Sequence, residues 1–487
     1  MNICFVTSEC IPFAKTGGLA DVSGALPKEL SRLGHTVKLF MPLYDSIHVS
    51  QFGFVKATEL SDLPVQMGDE SIPIHVWFGH LPDSTTEVYL VDCPRYFHRG
   101  RIYTNDADEL DRFVLLQHAA FNIMQRYGFA PDIIHANDWQ AALMPAMLKY
   151  RYNWDDLFKK TKTILSIHNL AYQGWTNQLD TAYRAGLPME EAQLGGEFEY
   201  SGGFSCLKTG IMTADWISTV SPTYAREIQS ERFGEGLEQL LRMRSASLRG
   251  ILNGIDVQVW NPETDPLIPH HFSAKKLTGK AKCKLDLQVE LGLACDPILP
   301  LVGIVSRFAS QKGFDLLMAS MSEIMKRSSV QFAVLGSGEA HFEAFFSAKQ
   351  NEYPGRFAVR TGYDEGLAHR IEAGSDMFLM PSYYEPCGLN QMYSLRYGTI
   401  PIVHKTGGLA DTVVDVDEFP GRGTGFSFWD ATPDVLKDTI FRALDWFEDR
   451  DAWKEIQLRG MRQDFGWEES ARSYLDLYSE AMLGTAN

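Results

Sequence analysis

Short apolar runs alternate along the chain with segments in which apolar residues recur at spacings of three and four. The short runs predict buried strands and the periodic segments predict helices, an alternation typical of doubly wound α/β folds. The predicted strands form two series, NICFVT, TVKLFMP, EVYLVD, PDIIHA, KTILSIH and WISTVS, then LPLVGIVS, VQFAVLG, FAVRTG, MFLMPS and TIPIVH. The pattern therefore predicts two Rossmann-like halves in one chain.

A polar, proline-rich stretch from Asn261 to Lys284 separates the two series and is interpreted as a linker. We expect an N-terminal domain over residues 1–260, a C-terminal domain over 261–460, and a cleft between them. The remaining residues, 461–487, contain an amphipathic helix that we expect to pack back on the N-terminal domain. Its predicted apolar face consists of Ala471, Tyr474, Leu475 and Tyr478.

Composition and charge narrow the possible functions. The chain has 487 residues, of which 45% are hydrophobic and 22% charged, as expected for a globular protein with more than one domain. A net charge of −17 argues against a nucleic-acid partner, so any anion must be bound by local groups. Neither a bilayer-length apolar run nor a secretory leader is visible, which favours a cytoplasmic enzyme without a membrane partner. The seven cysteines are scattered and form no CxxC pair, so we interpret most of them as buried small hydrophobes.

The heptapeptide KTGGLAD occurs twice, at Lys15–Asp21 and at Lys405–Asp411. Each copy follows a predicted strand and precedes apolar residues at helical spacing. Both could therefore present backbone amides to an anion at the carboxyl edge of a sheet. The alternative is that each glycine pair only makes a tight turn.

Charged residues follow two predicted strands of the second half. Arg307 and Lys312 in SRFASQKG could neutralise a diphosphate, although the same spacing fits a solvated basic loop. Glu385 in PSYYEPCGLNQ follows another strand, where a surface or capping acid is the alternative. The turn LGSGE lacks the full GxGxxG pattern, so dinucleotide binding is not expected.

Three DxD spellings could suggest a divalent metal site: Asp106 with Asp108, Asp415 with Asp417, and Asp449 with Asp451. They lie in polar or charged stretches away from the predicted glycine turns. We therefore expect solvated surface acids and no metal.

Longer stretches carry a family resemblance over nearly the whole chain: TSECIPFAKTGGLADVSGALP, HANDWQAAL, SIHNLAYQG, STVSPTYAREI, GILNGIDVQVWNPETD, VSRFASQKGFDLL, PSYYEPCGLNQMYSLRYGTIPIV, KTGGLADTV and DFGWEESARSYLDLY. The chain resembles the glycogen/starch synthases of the bacterial and plant type. That resemblance implies a GT-B fold, with two Rossmann-like domains facing a central cleft. It also implies a retaining glucosyltransferase that transfers glucose from ADP-glucose to the non-reducing end of an α-1,4-glucan such as glycogen, without a cofactor.

The resemblance also implies roles for individual residues. It implies these catalytic residues: Lys15, His168, Arg307, Lys312 and Glu385. It implies these donor-binding residues: Lys15, Gly17, Gly18, Asn253, Arg307, Lys312, Tyr363, Gly388, Leu389, Thr406, Gly407 and Gly408. It implies these acceptor-binding residues: Asp138, Trp139 and Tyr96.

The sequence also allows other interpretations of these residues and two other functions. His168 could be a core histidine, and Tyr363 and Trp139 could be core aromatics. Met392 stands where the wider superfamily often has a second glutamate, so a carboxylate contact to the ribose is not expected there. A glucan phosphorylase using pyridoxal phosphate would share the architecture, and a non-catalytic glucan-binding protein would share the fold.

Overall fold

A computed structural model describes residues 1–484 and divides the chain into two units. Unit 1 comprises Met1–Gly254 together with the residues from Trp467 onward, and unit 2 comprises Ile255–Gly466. Within residues 1–484, no helix is both long enough and apolar enough to cross a membrane.

The strands of unit 1 build a large sheet and a small one. They are β1 (Asn2–Val6), β2 (Thr36–Pro42), β3 (Val55–Lys56), β4 (Leu63–Met67), β5 (Glu70–His80), β6 (Glu87–Asp92), β7 (Ile133–Asn137), β8 (Lys162–Ile167), β9 (Trp175–Thr176), β10 (Glu199–Tyr200), β11 (Gly203–Ser205), β12 (Trp216–Thr219) and β13 (Leu248–Gly250).

The large sheet of unit 1 has the strand order β13-β12-β8-β7-β1-β2-β6-β5-β3, and β4 pairs with β5. From β13 to β6 all pairs are parallel, whereas β5 runs antiparallel to β6, β3 and β4. Chain order reverses at β1, which lies between β2 and β7. A topological switch point of this kind is where open α/β sheets bind ligands.

Helices connect the strands of unit 1. They are α1 (Gly18–Arg32), α2 (Pro94–Phe97), α3 (Glu109–Tyr127), α4 (Asp138–Ala141), α5 (Met144–Tyr150), α6 (Asp180–Arg184), α7 (Met189–Ala192), α8 (Cys206–Thr213), α9 (Pro222–Glu227) and α10 (Glu238–Met243). The spacing of apolar residues predicts a buried face on α1 formed by Leu19, Val22, Leu26, Leu30 and Leu33. The first four are buried, whereas Leu33 follows the last residue of the helix and is only partly buried.

Unit 2 has one parallel sheet in the order β16-β15-β14-β17-β18-β19. Its strands are β14 (Leu301–Val305), β15 (Gln331–Gly336), β16 (Phe357–Thr361), β17 (Met377–Met380), β18 (Ile400–His404) and β19 (Phe426–Phe428). Its helices are α11 (Thr278–Leu291), α12 (Phe314–Arg327), α13 (Ala340–Glu352), α14 (Glu365–Gly374), α15 (Asn390–Arg396), α16 (Gly407–Thr412), α17 (Pro433–Glu448) and α18 (Arg450–Met461).

Every strand predicted from the apolar runs is present, so the α/β class is confirmed. The predicted linker, in contrast, is part of unit 2. Asp265 lies near its start and is buried, accepting hydrogen bonds from Tyr397 and His369 at 2.6 and 2.7 Å. Trp260 stacks on His369 with 3.7 Å between ring centroids. The polar composition of this stretch therefore reflects a buried network as well as surface loops.

The last helix, α19 (Trp467–Leu483), belongs to unit 1. Its buried face includes Ala471, Tyr474 and Tyr478 as predicted, but Leu477 is buried where Leu475 was expected, because Leu475 lies at the edge of that face. The Tyr478 hydroxyl bonds to Nδ1 of the buried His135 at 2.7 Å, which attaches the helix to the central sheet.

Two buried histidines of unit 1 are held in the neutral state. His118 bonds to the Tyr152 hydroxyl at 2.8 Å and to the carbonyl of Arg184 at 3.0 Å. Burial lowers the pKa of His118 to about 4 and that of His135 to about 3. A histidine in the unfolded chain titrates near its ordinary pKa of about 6.5.

We expect the free energy of unfolding to decrease as the pH falls from about 6.5 to about 4. In that range these two histidines become protonated in the unfolded chain, whereas His118 and His135 stay neutral in the folded protein. Each histidine contributes at most about 1.4 kcal/mol per pH unit. Urea denaturation at several pH values checks this, with His118→Gln as the variant that removes one titrating group. An identical pH dependence in wild type and variant would contradict the role assigned to His118.

Candidate active site

The loop between β1 and α1 carries the first KTGGLAD copy and is fixed by a buried carboxylate. Glu9 is 3% exposed, and its Oε2 accepts the backbone N–H groups of Thr16 and Gly17 at 2.5 and 3.0 Å. Lys15 pairs with Asp21 at 2.8 Å, and its side chain remains 44% exposed. The loop is thus rigid at its main chain and presents an accessible ammonium group beside the first turn of α1.

The two KTGGLAD copies differ in the space around their glycines. A Cβ added to Gly17 or Gly18 would meet no described atom of unit 1 within 4 Å. A Cβ on Gly407 would lie 2.0 Å from the carbonyl oxygen of Glu385, and one on Gly408 would lie 2.0 Å from that of Cys387. The glycines of the first copy therefore leave room for a ligand, whereas those of the second copy make room for the chain itself.

Main-chain contacts hold the second copy. Gly407 has a φ of +45°, which favours glycine, and the Gly408 N–H donates to the carbonyls of Glu385 and Pro386, both at 3.1 Å. Lys405 pairs with Glu418 at 2.6 Å and lies over the Trp429 ring, and its side chain is 15% exposed, so its ammonium group is less accessible than that of Lys15. The same seven-residue sequence thus makes different contacts in the two units.

Lys312 and Glu385 meet in unit 2. Lys312 Nζ contacts Glu385 Oε2 at 2.6 Å, and both side chains are mostly buried. Gly313 makes the approach possible, because a Cβ at this position would lie 2.1 Å from the carbonyl oxygen of Pro381. Ser382 Oγ donates to the same Glu385 oxygen at 3.0 Å. A cation and a carboxylate are therefore held together where the chain leaves β14 and β17.

The turn LGSGE supports the segment that carries Arg307. A Cβ on Gly336 would lie 1.9 Å from the Ser306 carbonyl, and the Phe308 N–H donates to the carbonyl of Ser337 at 2.8 Å. The side chain of Arg307 itself is exposed. These glycines let the main chain pack closely around Arg307.

Gln391 ties the turn after Glu385 to α16. Its Nε2 donates to the carbonyls of Cys387 and Gly388 and to Thr412 Oγ1, at 3.1, 2.9 and 3.1 Å. Gly388 has a φ of +69°, which again favours glycine. Met392 is fully buried. Gln391 was not predicted as a site residue and acts here on the turn that contains Gly388 and Leu389.

His168 follows β8 and is held in one orientation. Asn137 Nδ2 donates to the Val6 carbonyl at 3.0 Å, which leaves its Oδ1 to accept from His168 Nε2 at 3.0 Å. Burial lowers the pKa of His168 to about 4. The ring is therefore neutral at neutral pH, with its proton on Nε2 and an accepting lone pair on Nδ1.

Asp138 positions the main chain at His168. It adopts the left-handed conformation with a φ of +54°, and its Oδ1 accepts the His168 N–H at 2.7 Å. Burial raises the pKa of the Asp138 carboxyl to about 7. The observed contacts are those of a loop-positioning residue, and the predicted contact of Asp138 with an acceptor stays a prediction.

The remaining predicted residues differ in exposure. Trp139 is 9% exposed and its ring packs edge-on against Phe113 at 5.1 Å, while Tyr96 is fully buried and does not present its ring to solvent. Asn253 is buried, and its Oδ1 has no hydrogen-bond partner among residues 1–484. Tyr363 is 80% exposed, which suits a residue that stacks on a ligand better than a core aromatic. Thr406 is buried.

In two of the three DxD sequences, an arginine forms ion pairs with both aspartates. Arg99 pairs with Asp106 at 3.0 Å and Asp108 at 2.6 Å. Arg442 pairs with both Asp415 and Asp417, at 2.9 and 2.6 Å. Asp415 is 2% exposed, so the expectation of a solvated acid was wrong at this position, where the guanidinium group compensates for burial. In the third sequence, Asp449 caps α18 through the N–H of Ala452.

Sequence comparisons relate both units to glycosyltransferases. Residues 2–243 match a family model described as the starch synthase catalytic domain, and residues 298–457 match glycosyl transferases group 1. The glycogen synthase of Anaeromyxobacter dehalogenans is 46% identical, with 98% of each chain covered. That of Koribacter versatilis is 44% identical, over 99% of this chain and 98% of the relative.

Solved structures point in the same direction. The catalytic domain of starch synthase IV from Arabidopsis thaliana, bound to ADP and acarbose, is 32% identical with a TM-score of 0.90, covering 99% of both chains. A sucrose-phosphate synthase from Thermosynechococcus elongatus, at 18% identity and a TM-score of 0.59, shares the fold.

The glycine geometry predicts effects of different size for alanine in the two KTGGLAD copies. We expect Gly408→Ala to destabilise the protein by on the order of 1–3 kcal/mol, because the methyl group would collide with the Cys387 carbonyl. We expect Gly18→Ala to change stability by less than about 1 kcal/mol, because alanine suits the first turn of a helix and the space is open. Thermal unfolding of both variants checks this. Equal losses of stability would contradict the distinction between the copies.

Proposed function

The chain belongs to the glycogen and starch synthase family of glycosyltransferases, and we propose that it transfers glucose from ADP-glucose to the non-reducing 4-hydroxyl of an α-1,4-glucan with retention of configuration. We propose the cytoplasm as its site of action. The starch synthase IV relative was solved with ADP and acarbose bound, which supports an adenine nucleotide as donor and a saccharide as acceptor.

The observation that carries the proposal is the open double glycine at the start of α1. The protein has a net charge of −17, so a diphosphate must be held by local donors. Gly17 and Gly18 leave room for close approach, the first turn of α1 offers backbone N–H groups without intrahelical acceptors, and Lys15 supplies an exposed positive charge. Together these features suit a sugar diphosphate.

The cations of unit 2 suit the departure of ADP. When the bond between glucosyl C1 and the diphosphate oxygen breaks, negative charge develops on the phosphate, and Arg307 and Lys312 would stabilise it. The acceptor O4 forms the new bond to C1 on the same face, and its proton leaves with ADP. Glu385 holds Lys312 in place and could stabilise positive charge on the sugar ring.

The neutral imidazole of His168 suits a contact with the transferred glucose. Because Nε2 is committed to Asn137, the free Nδ1 can accept a hydrogen bond from a sugar hydroxyl. An imidazolium in the same position would repel the developing positive charge at C1. The depressed pKa of His168 therefore favours transfer at neutral pH.

A phosphorylase-like reaction is the alternative. It would require pyridoxal phosphate, and a purified protein carrying that cofactor would absorb light above the range of its aromatic side chains. The family matches favour the transfer from a nucleotide sugar.

We expect purified protein to incorporate labelled glucose into glycogen from ADP-glucose at least about 10-fold faster than from UDP-glucose, the ratio given by about 1.4 kcal/mol of discrimination. The assay also includes inorganic phosphate with glycogen, to detect phosphorolysis. Faster incorporation from UDP-glucose would overturn the proposed donor, and release of glucose 1-phosphate would favour the phosphorylase alternative.

We expect Lys312→Ala to reduce turnover by on the order of 10²- to 10³-fold, the typical effect of removing one preorganised charge. Chelation of divalent ions by EDTA should leave wild-type turnover nearly unchanged, because lysine and arginine already neutralise the leaving diphosphate. Lys349→Ala is the matched control, since it removes another lysine–glutamate pair of 2.6 Å in unit 2. Loss of activity with EDTA, restored by magnesium while Lys312→Ala stays active, would refute this mechanism.

A further inference from the structure

The Glu9 carboxylate joins two loops of unit 1 that are far apart in sequence. Its Oε2 accepts the N–H groups of Thr16 and Gly17, and its Oε1 accepts Thr16 Oγ1 and the Tyr103 hydroxyl, both at 2.6 Å. Four donors thus converge on one buried acid. Three of these hydrogen-bonding groups belong to residues 15–18, which we call the donor loop because the proposed function assigns the sugar donor to it. The fourth belongs to the loop between α2 and α3, residues 98–108.

Tyr103 is a fixed donor because its own loop is held by a buried arginine. Arg112 is fully buried and donates to the carbonyls of Tyr96 and Ile102 at 2.6 and 3.1 Å. The Tyr103 hydroxyl also bonds to Ser8 Oγ at 2.9 Å. The hydroxyl therefore has a defined position relative to β1, and it defines in turn where the Glu9 carboxylate lies.

Glu9 is unsuited to bind the donor directly. Its four hydrogen bonds are already made inside the protein, and neither a carboxylate nor a diphosphate has a proton to donate to the other. Glu9 accepts the hydrogen bond of the Gly17 N–H. The next amides, those of Gly18 and Leu19, begin α1 and have no intrahelical acceptor. Its negative charge also lies favourably at the N-terminus of that helix.

We propose that Glu9 and Tyr103 are positioning residues that hold the donor loop in the conformation that receives the sugar diphosphate. Charge-assisted hydrogen bonds are short and strong, so they can keep a glycine pair ordered that would otherwise sample many backbone conformations. The proposal rests on the proposed function, because it assigns the diphosphate to this loop.

The test compares two tyrosines that make the same bond in different places. Tyr103→Phe removes the hydroxyl that donates to Glu9. Tyr89→Phe removes a hydroxyl that donates to Glu87 Oε2, also at 2.6 Å, on β6. Glu9→Gln replaces one accepting oxygen by an amide group that cannot accept. For each variant the measurements are KM and kcat for the nucleotide sugar that wild type uses, the Kd of ADP by calorimetry, and the thermal unfolding temperature.

We expect Tyr103→Phe to raise KM for the donor and the Kd of ADP by about 10-fold, with a smaller change in kcat. Glu9→Gln should raise both by about 100-fold, since it disturbs more than one hydrogen bond. Tyr89→Phe should leave both within about 2-fold of wild type.

Wild-type KM and Kd in Tyr103→Phe would overturn the proposal, and so would an equal rise in Tyr89→Phe. If Glu9→Gln does not fold, Tyr103→Phe decides alone. A wild-type protein that transfers glucose from neither ADP-glucose nor UDP-glucose would instead refute the proposed function. Normal wild-type turnover with unaffected variants would refute only the positioning role.

Discussion

The candidate site of unit 1 depends on the parallel pairing of its central strands. β1 pairs in parallel with β7, and β7 with β8, so the chain leaves all three strands at the same edge of the sheet. Glu9, Asn137 and His168 lie at this edge, although they are far apart in sequence. The hydrogen bond from His168 to Asn137 and the bond from Asn137 to the end of β1 both follow directly from that arrangement.

The same constraint acts in unit 2. β14, β17 and β18 are neighbours in a parallel sheet, and the segments that follow them contain Lys312, Glu385 and Gly407. Glycines let these segments approach to main-chain contact, which no other residue would permit without a shift of backbone. The ion pair of Lys312 and Glu385 is thus a product of close-packed turns, and its short distance needs both Gly313 and the strand order.

Burial determines the charge states that the two units present. The neutral His168 and the raised pKa of Asp138 both arise because a polar group is removed from water near the end of a strand. Buried acids that stay paired behave differently. Asp415, held by Arg442, has a pKa below its usual value, since hydrogen bonds from the guanidinium and from backbone N–H groups outweigh the cost of burial. Each carboxylate must therefore be interpreted from its partners.

The sequence alone was enough to predict the central strands, the α/β class and the buried face of α1, because these follow from the local spacing of apolar residues. It also indicated Lys312 and Glu385, since a charged residue within a few positions of the end of an apolar run is visible in the sequence. Glu9 lies three residues after the end of β1 and could have been found by the same rule. The tertiary structure alone decided that the two KTGGLAD copies differ, that Tyr103 reaches Glu9 across 94 positions of sequence, and that Asp265 in the polar stretch is buried. Those features depend on which distant segments meet, and strand order and side-chain partners are not encoded in the local pattern of polar and apolar residues.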